Sequence, residues 1–143
     1  MSKVLVVYWS GTGNTEIMAE KIAEGLENAG VEVDVRNVVD VDPSEVAGFD
    51  KIAFGCPSMA DEKLEEDEFA PFFDDVEDSL SGKKVLLFGS YGWGNGEWME
   101  EWVERTEDAG AEVFNGEGLI LNYTPDADGE ALCVEWGEGF AEF

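Results

Sequence analysis

Apolar residues follow two different spacings along the chain, one typical of buried strands and the other typical of helices. Residues 3–9 form an almost continuous apolar run, which predicts a buried strand. In residues 14–29 the apolar side chains Met18, Ile22 and Leu26 recur at every fourth position, which predicts a helix with one apolar face. A strand followed directly by a helix is the start of a parallel strand–helix–strand unit.

The same alternation continues to the last residues. Further strands are predicted at residues 32–37, 51–56, 85–89 and 112–122, and further helices at residues 69–80, 97–109 and 128–142. The third strand is apolar throughout and should be central, whereas the fifth contains an irregularity at residues 115–118. This alternation predicts a parallel α/β sheet with helices on both faces, and the length of 143 residues suits a single domain, residues 1–143.

Ligands of such sheets bind beyond the carboxyl ends of the strands. The loops after the first, third and fourth strands should therefore share one edge, and they comprise residues 10–15, 57–62 and 90–98. We expect the functional site at that edge.

The first of these loops consists of hydroxyl, amide and glycine residues at the start of a helix: Ser10, Gly11, Thr12, Gly13, Asn14 and Thr15. Unpaired N–H groups of the first helical turn, the helix dipole and these side chains together suit a phosphate. The loop has no lysine or arginine, and it matches neither the nucleotide-triphosphate loop nor the dinucleotide fingerprint. It favours a permanently held monophosphate, but taken alone it is equally consistent with a plain helix cap.

Charge narrows the choice of partners. The chain has 34 acidic and 8 basic residues, a formal net charge of -26. Such a surface repels nucleic acid and anionic membranes and favours basic protein partners. An acidic excess also keeps a protein soluble in concentrated salt, so a halophile-like habitat is a second explanation that does not exclude the first.

Reactive side chains are few. The chain has no histidine, and its two cysteines, Cys56 and Cys133, are far apart, which excludes a zinc site and Cys/His catalysis. Both thiols are predicted to be buried in a reducing compartment. The first apolar run is too short to span a membrane and lacks a signal-peptide pattern, so we expect a cytoplasmic protein.

The three loops resemble those of the flavodoxins, small FMN-binding electron carriers, and most closely the short-chain type of anaerobic bacteria. Residues 9–16 resemble the phosphate loop, residues 55–62 the isoalloxazine loop and residues 88–94 the third flavin loop. The similarity extends over essentially the full chain. It implies a three-layer α/β/α sandwich with a five-stranded parallel sheet in the order 2-1-3-4-5.

The resemblance also implies roles for individual residues. Ser10, Thr12, Asn14 and Thr15 would hold the FMN phosphate. Trp93 would stack on one face of the flavin and Met59 would cover the other. The remaining implied contacts are Gly11, Gly13, Pro57, Ser58, Ala60, Asp61, Glu62, Ser90, Tyr91, Gly92, Gly94 and Asn122.

Several of these assignments have simpler alternatives. The Glu62 carboxylate would accept a hydrogen bond from flavin N3–H, or it is one more solvated acid in residues 61–68. Asn122 would lie near the flavin edge, or it caps the end of a strand. Trp93 could fill the core instead, although its glycine-rich loop offers little to pack on. Trp98 and Trp102, one helical turn apart, are expected to be mostly core.

One position departs from the family pattern. Ala60 follows the methionine where the family commonly has glycine, in a turn that presents its carbonyl to flavin N5. A β-carbon in such a turn costs on the order of 1 kcal/mol, so Ala60 is expected to affect the stability of the flavin semiquinone and not the fold.

The implied function is single-electron transfer at low potential, because added negative charge is disfavoured in a pocket ringed by carboxylates. The partners would be redox proteins such as oxidoreductases that otherwise use ferredoxin, bound through basic patches, and a monomer is expected. The alternative is an FMN-dependent oxidoreductase such as a quinone reductase, which would need room for a substrate. A phospho-receiver domain would need an aspartate at the end of the third strand, where this chain has Cys56. A phosphatase would need a Cys-x5-Arg loop after the first strand, which the sequence lacks. The sequence therefore favours neither class.

Overall fold

A computed structural model of the chain describes residues 3–59, 62–92 and 94–143. Its strands are β1 (Lys3–Tyr8), β2 (Glu32–Asn37), β3 (Lys51–Gly55), β4 (Lys84–Tyr91), β5 (Glu112–Val113) and β6 (Leu119–Asn122). Its α-helices are α1 (Asn14–Asn28), α2 (Phe69–Val76), α3 (Glu97–Asp108) and α4 (Ala127–Glu142). Short 3-10 turns occupy Val38–Asp40, Pro43–Gly48, Glu77–Ser79 and Phe114–Gly116.

The sheet confirms the predicted strand order. It runs β2-β1-β3-β4-β5 with every pair parallel, and β6 also pairs with β4. The predicted fifth strand is two strands, so the described residues form six rather than five. The Phe114–Gly116 turn divides them, and Asn115 there has a left-handed φ of 62°, which a continuous strand cannot contain.

This division explains why β4 is longer than its predicted range of residues 85–89. Its amino half pairs with β5, where Lys84 faces Glu112, and its carboxyl half pairs with β6, where Phe88 faces Leu119. The second helix is also shorter than predicted, since α2 ends at Val76 and continues only as a 3-10 turn.

The two faces of the sheet bury separate apolar cores. Alternate side chains of β1 point to opposite faces, so Leu5 joins one core and Val6 the other. The first core lies under α2 and α3 and includes Trp98 and Trp102, each 2% exposed, as predicted. The second lies under α1 and α4.

Helices α1 and α4 approach each other at two glycines. A β-carbon at Gly25 would overlap the carbonyl oxygen of Val134, and one at Gly137 would overlap that of Ile22. The two backbones can therefore touch only because both positions lack a side chain.

Lysines at the amino ends of β3 and β4 hold the last residues of the chain. Lys51 Nζ donates to the main-chain oxygens of Phe140 at 3.2 Å and Ala141 at 3.0 Å. Lys84 Nζ donates to that of Phe143 at 2.6 Å. Burial, and then the charge of Lys84, lower the pKa of Lys51. These cations complement the negative end of the α4 dipole, which has no basic residue in its own last turn.

Both cysteines are buried and free, as predicted. Burial raises the pKa of Cys56 above its ordinary range and that of Cys133 to about 12, so both thiols remain protonated. Within the described residues, no helix combines the length and the apolar character needed to cross a membrane.

Candidate cofactor-binding site

A cleft of about 290 Å³ opens at the carboxyl edge of the sheet, where the three predicted loops meet. It is lined by Trp9, Gly11, Thr12, Asn14, Pro57, Ser58, Met59, Ser90, Tyr91, Gly92 and Tyr123. Nine of these residues were predicted from the sequence, and Trp9 and Tyr123 were not. The structure thus brings together nine of the fifteen predicted site residues that it describes.

The loop after β1 is shaped to start a helix without a side-chain cap. Ser10 Oγ accepts from the N–H of Gly13 at 3.0 Å, and Gly13 has a left-handed φ of 93° directly before α1. In this described segment no side chain caps the helix. The N–H groups of its first turn therefore remain available to an anion, together with the side chains of Thr12 and Asn14.

Thr15, which the resemblance assigns to the phosphate, is a buried residue in the structure. It is 1% exposed, and its Oγ1 lies 3.1 Å from Ser90 Oγ and accepts from Ser90 N–H at 3.4 Å. This contact joins the first loop to the end of β4. The hydroxyl of Thr15 is thereby engaged within the protein, and its contact with a phosphate stays a prediction.

The loop after β3 is held by main-chain bonds. Ser58 N–H donates to Ser90 carbonyl at 2.9 Å, which extends the β3–β4 pairing toward the cleft. Met59 N–H donates to the Lys63 carbonyl at 2.9 Å, and Glu62 N–H donates to the Met59 carbonyl at 3.0 Å. These bonds place Met59 on the wall of the cleft. The predicted contacts Ala60 and Asp61 lie outside the described residues.

Glu62 is neither a freely solvated acid nor a member of the cleft lining. Its Oε1 accepts from the N–H of Gly96 at 3.2 Å, and its backbone has a left-handed φ of 50°. The same carboxylate lies beside Gly94, where a β-carbon would overlap it. Glu62 therefore ties the second loop to the third in this structure, and its bond to flavin N3–H stays a prediction.

The loop after β4 carries Tyr91 and Gly92 into the cleft, whereas Trp93 lies outside the described residues. The Tyr91 ring packs against Trp98 at a centroid distance of 5.8 Å. The indole N–H of Trp98 in turn donates to the Cys56 carbonyl at 3.3 Å. The buried tryptophan thus supports the aromatic wall of the cleft from below.

Asn122 makes a contact expected of a strand-end residue, and its place near the flavin edge stays a prediction. Its side-chain amide donates to the Tyr91 carbonyl at 3.2 Å, and Asn122 does not line the cleft. The next residue, Tyr123, does. Its position directly after the last strand of a parallel sheet was the signal that could have indicated it.

Trp9 was the other omission. It continues β1 into the cleft, and its indole N–H donates to Glu68 Oε1 at 2.8 Å. Since it immediately precedes the phosphate-type loop, its place at the carboxyl end of β1 was visible in the sequence.

The lining suits a ligand with an anionic end and a flat apolar body. None of the described residues that line the cleft carries a charge. Hydroxyl, amide and N–H donors surround one end, which suits a phosphate without a cation. Trp9, Met59 and Tyr91 supply apolar and aromatic surface for a ring system. These residues fit FMN.

Comparison with known proteins decides the family. The sequence profile described as Flavodoxin matches residues 6–137. The chain belongs to the flavodoxin family. The flavodoxin of Megasphaera elsdenii is 49% identical over 139 residues, covering 97% of this chain and 98% of that protein. The flavodoxin of Clostridium beijerinckii is 48% identical over 136 residues, covering 95% and 97%.

Solved flavodoxin structures have the same fold. The solution structure of two-electron reduced Megasphaera elsdenii flavodoxin superposes with a TM-score of 0.89 at 48% identity, covering 98% of this chain and 99% of that one. A flavodoxin from the domain Archaea gives 0.88 at 31% identity, covering 98% and 96%. Flavodoxins carry electrons on bound FMN. The predicted short-chain family, its cofactor and its electron-carrier function are thereby confirmed.

Proposed function

We propose that residues 1–143 act as one FMN-binding domain, which passes single electrons at low potential between redox proteins and has no substrate chemistry of its own. The observation that carries this proposal is the uncharged cleft at the carboxyl edge of the sheet, with donors at one end and aromatic walls beside them.

The phosphate of FMN is assigned to the start of α1. Thr12 and Asn14 line the cleft and offer side-chain donors, and Gly13 leaves the first-turn N–H groups free of a side-chain cap. Ser10 and Thr15 are assigned to the phosphate as well, and their hydroxyls also bond to Gly13 N–H and to Ser90. They hold the loop in shape for the phosphate.

The flavin ring is assigned to the loops after β3 and β4. Met59 covers one face, and the resemblance to the family assigns the other face to Trp93. Pro57, Ser58, Ser90, Tyr91 and Gly92 complete the wall between them. Glu62 fixes the distance between the two loops through its bond to Gly96.

Bound FMN supplies one- and two-electron redox chemistry. The protein contributes the surrounding field. Acidic residues follow the second loop closely, and Glu68 is fixed beside the cleft by its bond to Trp9. Negative charge added to the cofactor would meet this field in a partly dry pocket, which lowers the potential of the reduction that adds it.

The acidic surface also supports the choice of partner. With a net charge of -26 it attracts basic patches on oxidoreductases that otherwise use ferredoxin, and it repels nucleic acid and anionic membranes. We place the protein in the cytoplasm as a monomer, and we propose that the same acidity also supports solubility in concentrated salt.

Cofactor uptake tests the central proposal. Apo-protein is titrated with FMN and with riboflavin while flavin fluorescence is recorded, and the FMN complex is then reduced stepwise without oxygen. We expect tight FMN binding, much weaker riboflavin binding and two reduction steps. A protein that ignores FMN, or that binds both flavins equally, would contradict the assignment of the cleft. Sustained turnover of NADH with a quinone would favour the enzyme alternative.

A further inference from the structure

Tyr123 stands out among the residues that line the cleft. Its side chain is 61% exposed, the highest value among the exposed large hydrophobic side chains of the described residues. Its backbone has a left-handed φ of 57°, which a tyrosine rarely adopts. An exposed ring on a strained backbone at a binding cleft points to a role in binding rather than in the core.

The residues on both sides of Tyr123 fix its position. Tyr123 N–H donates to the Tyr91 carbonyl at 2.8 Å, and the Asn122 amide donates to the same oxygen at 3.2 Å. Thr124 Oγ1 donates to Asn14 Oδ1 at 2.8 Å. The segment 122–124 is therefore tied to the third loop at one end and to the phosphate loop at the other.

The ring lies against the third loop at a glycine. A β-carbon at Gly92 would be 3.2 Å from Cε1 of Tyr123, so Gly92 leaves the space that the ring occupies. The ring thus forms a wall of the cleft between Gly92 and the start of α1.

We propose that Tyr123 is a further FMN-binding residue, whose ring contacts the carbon skeleton of the cofactor and shields it from water between the phosphate loop and the third loop. This inference rests on the proposed function, because it assumes that FMN occupies the cleft. The contact is made by the ring, and the hydroxyl group is not required.

Substitutions that keep the backbone conformation test the ring alone. Asparagine and glycine both accept a left-handed φ, so Tyr123→Asn and Tyr123→Gly remove the ring without adding strain. Tyr123→Phe keeps the ring and removes the hydroxyl. Val39→Ala is the control, since Val39 is 59% exposed and does not line the cleft. A thermal melt of each apo-protein confirms that it folds.

Dissociation constants for FMN and riboflavin, and quenching of bound flavin by iodide, are measured for every variant. We expect the Asn and Gly variants to bind FMN roughly tenfold more weakly, as for the loss of one aromatic contact, to lose a similar factor for riboflavin, and to admit iodide. The Phe and Val39 variants should match the wild type.

The outcomes separate this inference from the one on which it rests. If the wild-type chain bound no FMN, the proposed function and the role of Tyr123 would both be wrong. If it bound FMN and the Asn and Gly variants bound it equally well, only the role of Tyr123 would be wrong. A loss in the Phe variant as large as that in the Asn variant would assign the contact to the hydroxyl and overturn the ring contact.

Discussion

The two ends of the sheet hold their polar groups by opposite means. At the amino ends of β3 and β4, Lys51 and Lys84 donate charge-assisted bonds to the last main-chain oxygens. At the carboxyl ends, the cleft loops are joined by hydroxyls, such as those of Thr15 and Ser90, and by the Glu62 carboxylate. The chain has only eight basic residues, and none of them lines the cleft in the described structure. The amino end is built for stability, and the carboxyl end is left with donors suited to a phosphate.

The contact between α1 and α4 connects these two ends, and breaking it should have the largest effect. Gly137→Ala places a β-carbon where the Ile22 carbonyl oxygen lies, so we expect a loss of about 3 kcal/mol in the free energy of unfolding of the apo-protein. Chemical denaturation measures it. The control is Gly48→Ala, because a β-carbon at Gly48 meets nothing within 4 Å. Equal stability of the two variants would mean that the helices can separate at no cost.

At the carboxyl end of the sheet, the ionisation of Tyr8 should lower the free energy of unfolding at alkaline pH. Its hydroxyl donates to Glu16 Oε2 at 2.8 Å, and burial, followed by this bond, raises its pKa from 10.0 to about 12. Since the folded-state pKa is above the unfolded one, the stabilisation is complete below pH 10 and is lost as pH rises from 10 to 12. The loss amounts to roughly 2 kcal/mol.

Tyr8→Phe removes the titrating group, so unfolding free energies measured between pH 9 and 12 should fall less steeply than in the wild type. Val39→Ala is the control, because it removes an exposed side chain that does not titrate, and it should keep the wild-type slope. If the slope were unchanged in the Tyr8 variant, the loss of stability between pH 9 and 12 would be caused by another group.

The neutral donors of the carboxyl end should affect binding rather than folding. Thr12→Val removes a hydroxyl from the cleft, and a hydrogen bond to a charged group contributes about 1.5 kcal/mol or more, so FMN affinity should fall at least tenfold. Riboflavin affinity should hardly change, because riboflavin lacks the phosphate.

Thr106→Val provides the control for this substitution. Thr106 is buried in α3 and its hydroxyl donates to the Trp102 carbonyl at 2.7 Å, so this variant should lose stability and keep the ratio of the two affinities. Equal losses of both flavins in the Thr12 variant would place the phosphate elsewhere.

The lysine bonds at the amino end should affect folding rather than FMN binding, and their effect should be the smallest of those predicted here. Lys51→Met removes two bonds to the end of α4, and we expect a loss of about 1 kcal/mol in unfolding free energy with unchanged FMN affinity. Lys3→Met is the control, since Lys3 is exposed at the same end of the sheet. If FMN binding weakened in the Lys51 variant, the two ends would not be independent.

The sequence predicted features that depend on neighbouring residues. The alternating apolar runs predicted the strands and helices of the sheet. The irregularity expected at residues 115–118 corresponds to the left-handed backbone of Asn115. The loop after β1 was recognisable because its glycines, hydroxyls and helix start are contiguous. Local spacing carries this information directly.

Contacts between distant residues were less predictable. The contact between Thr15 and Ser90, which are 75 positions apart, was not predicted. Tyr123 was overlooked because its place depends on bonds from its segment to Tyr91 and to Asn14, 110 positions from Thr124. Its position after the last strand was visible in the sequence, but the partners in these bonds come together only when the sheet has formed.

The packing of α1 on α4 also has a kinetic consequence. The helix that begins at the phosphate loop finds its closest partner more than a hundred positions later in the chain, at Gly137. Contacts of such long sequence separation form late, because the loop between them must close first. During synthesis, the apolar face of α1 therefore stays uncovered until α4 has been made. We therefore expect the phosphate loop, which leads into α1, to reach its final form only after α4 has packed.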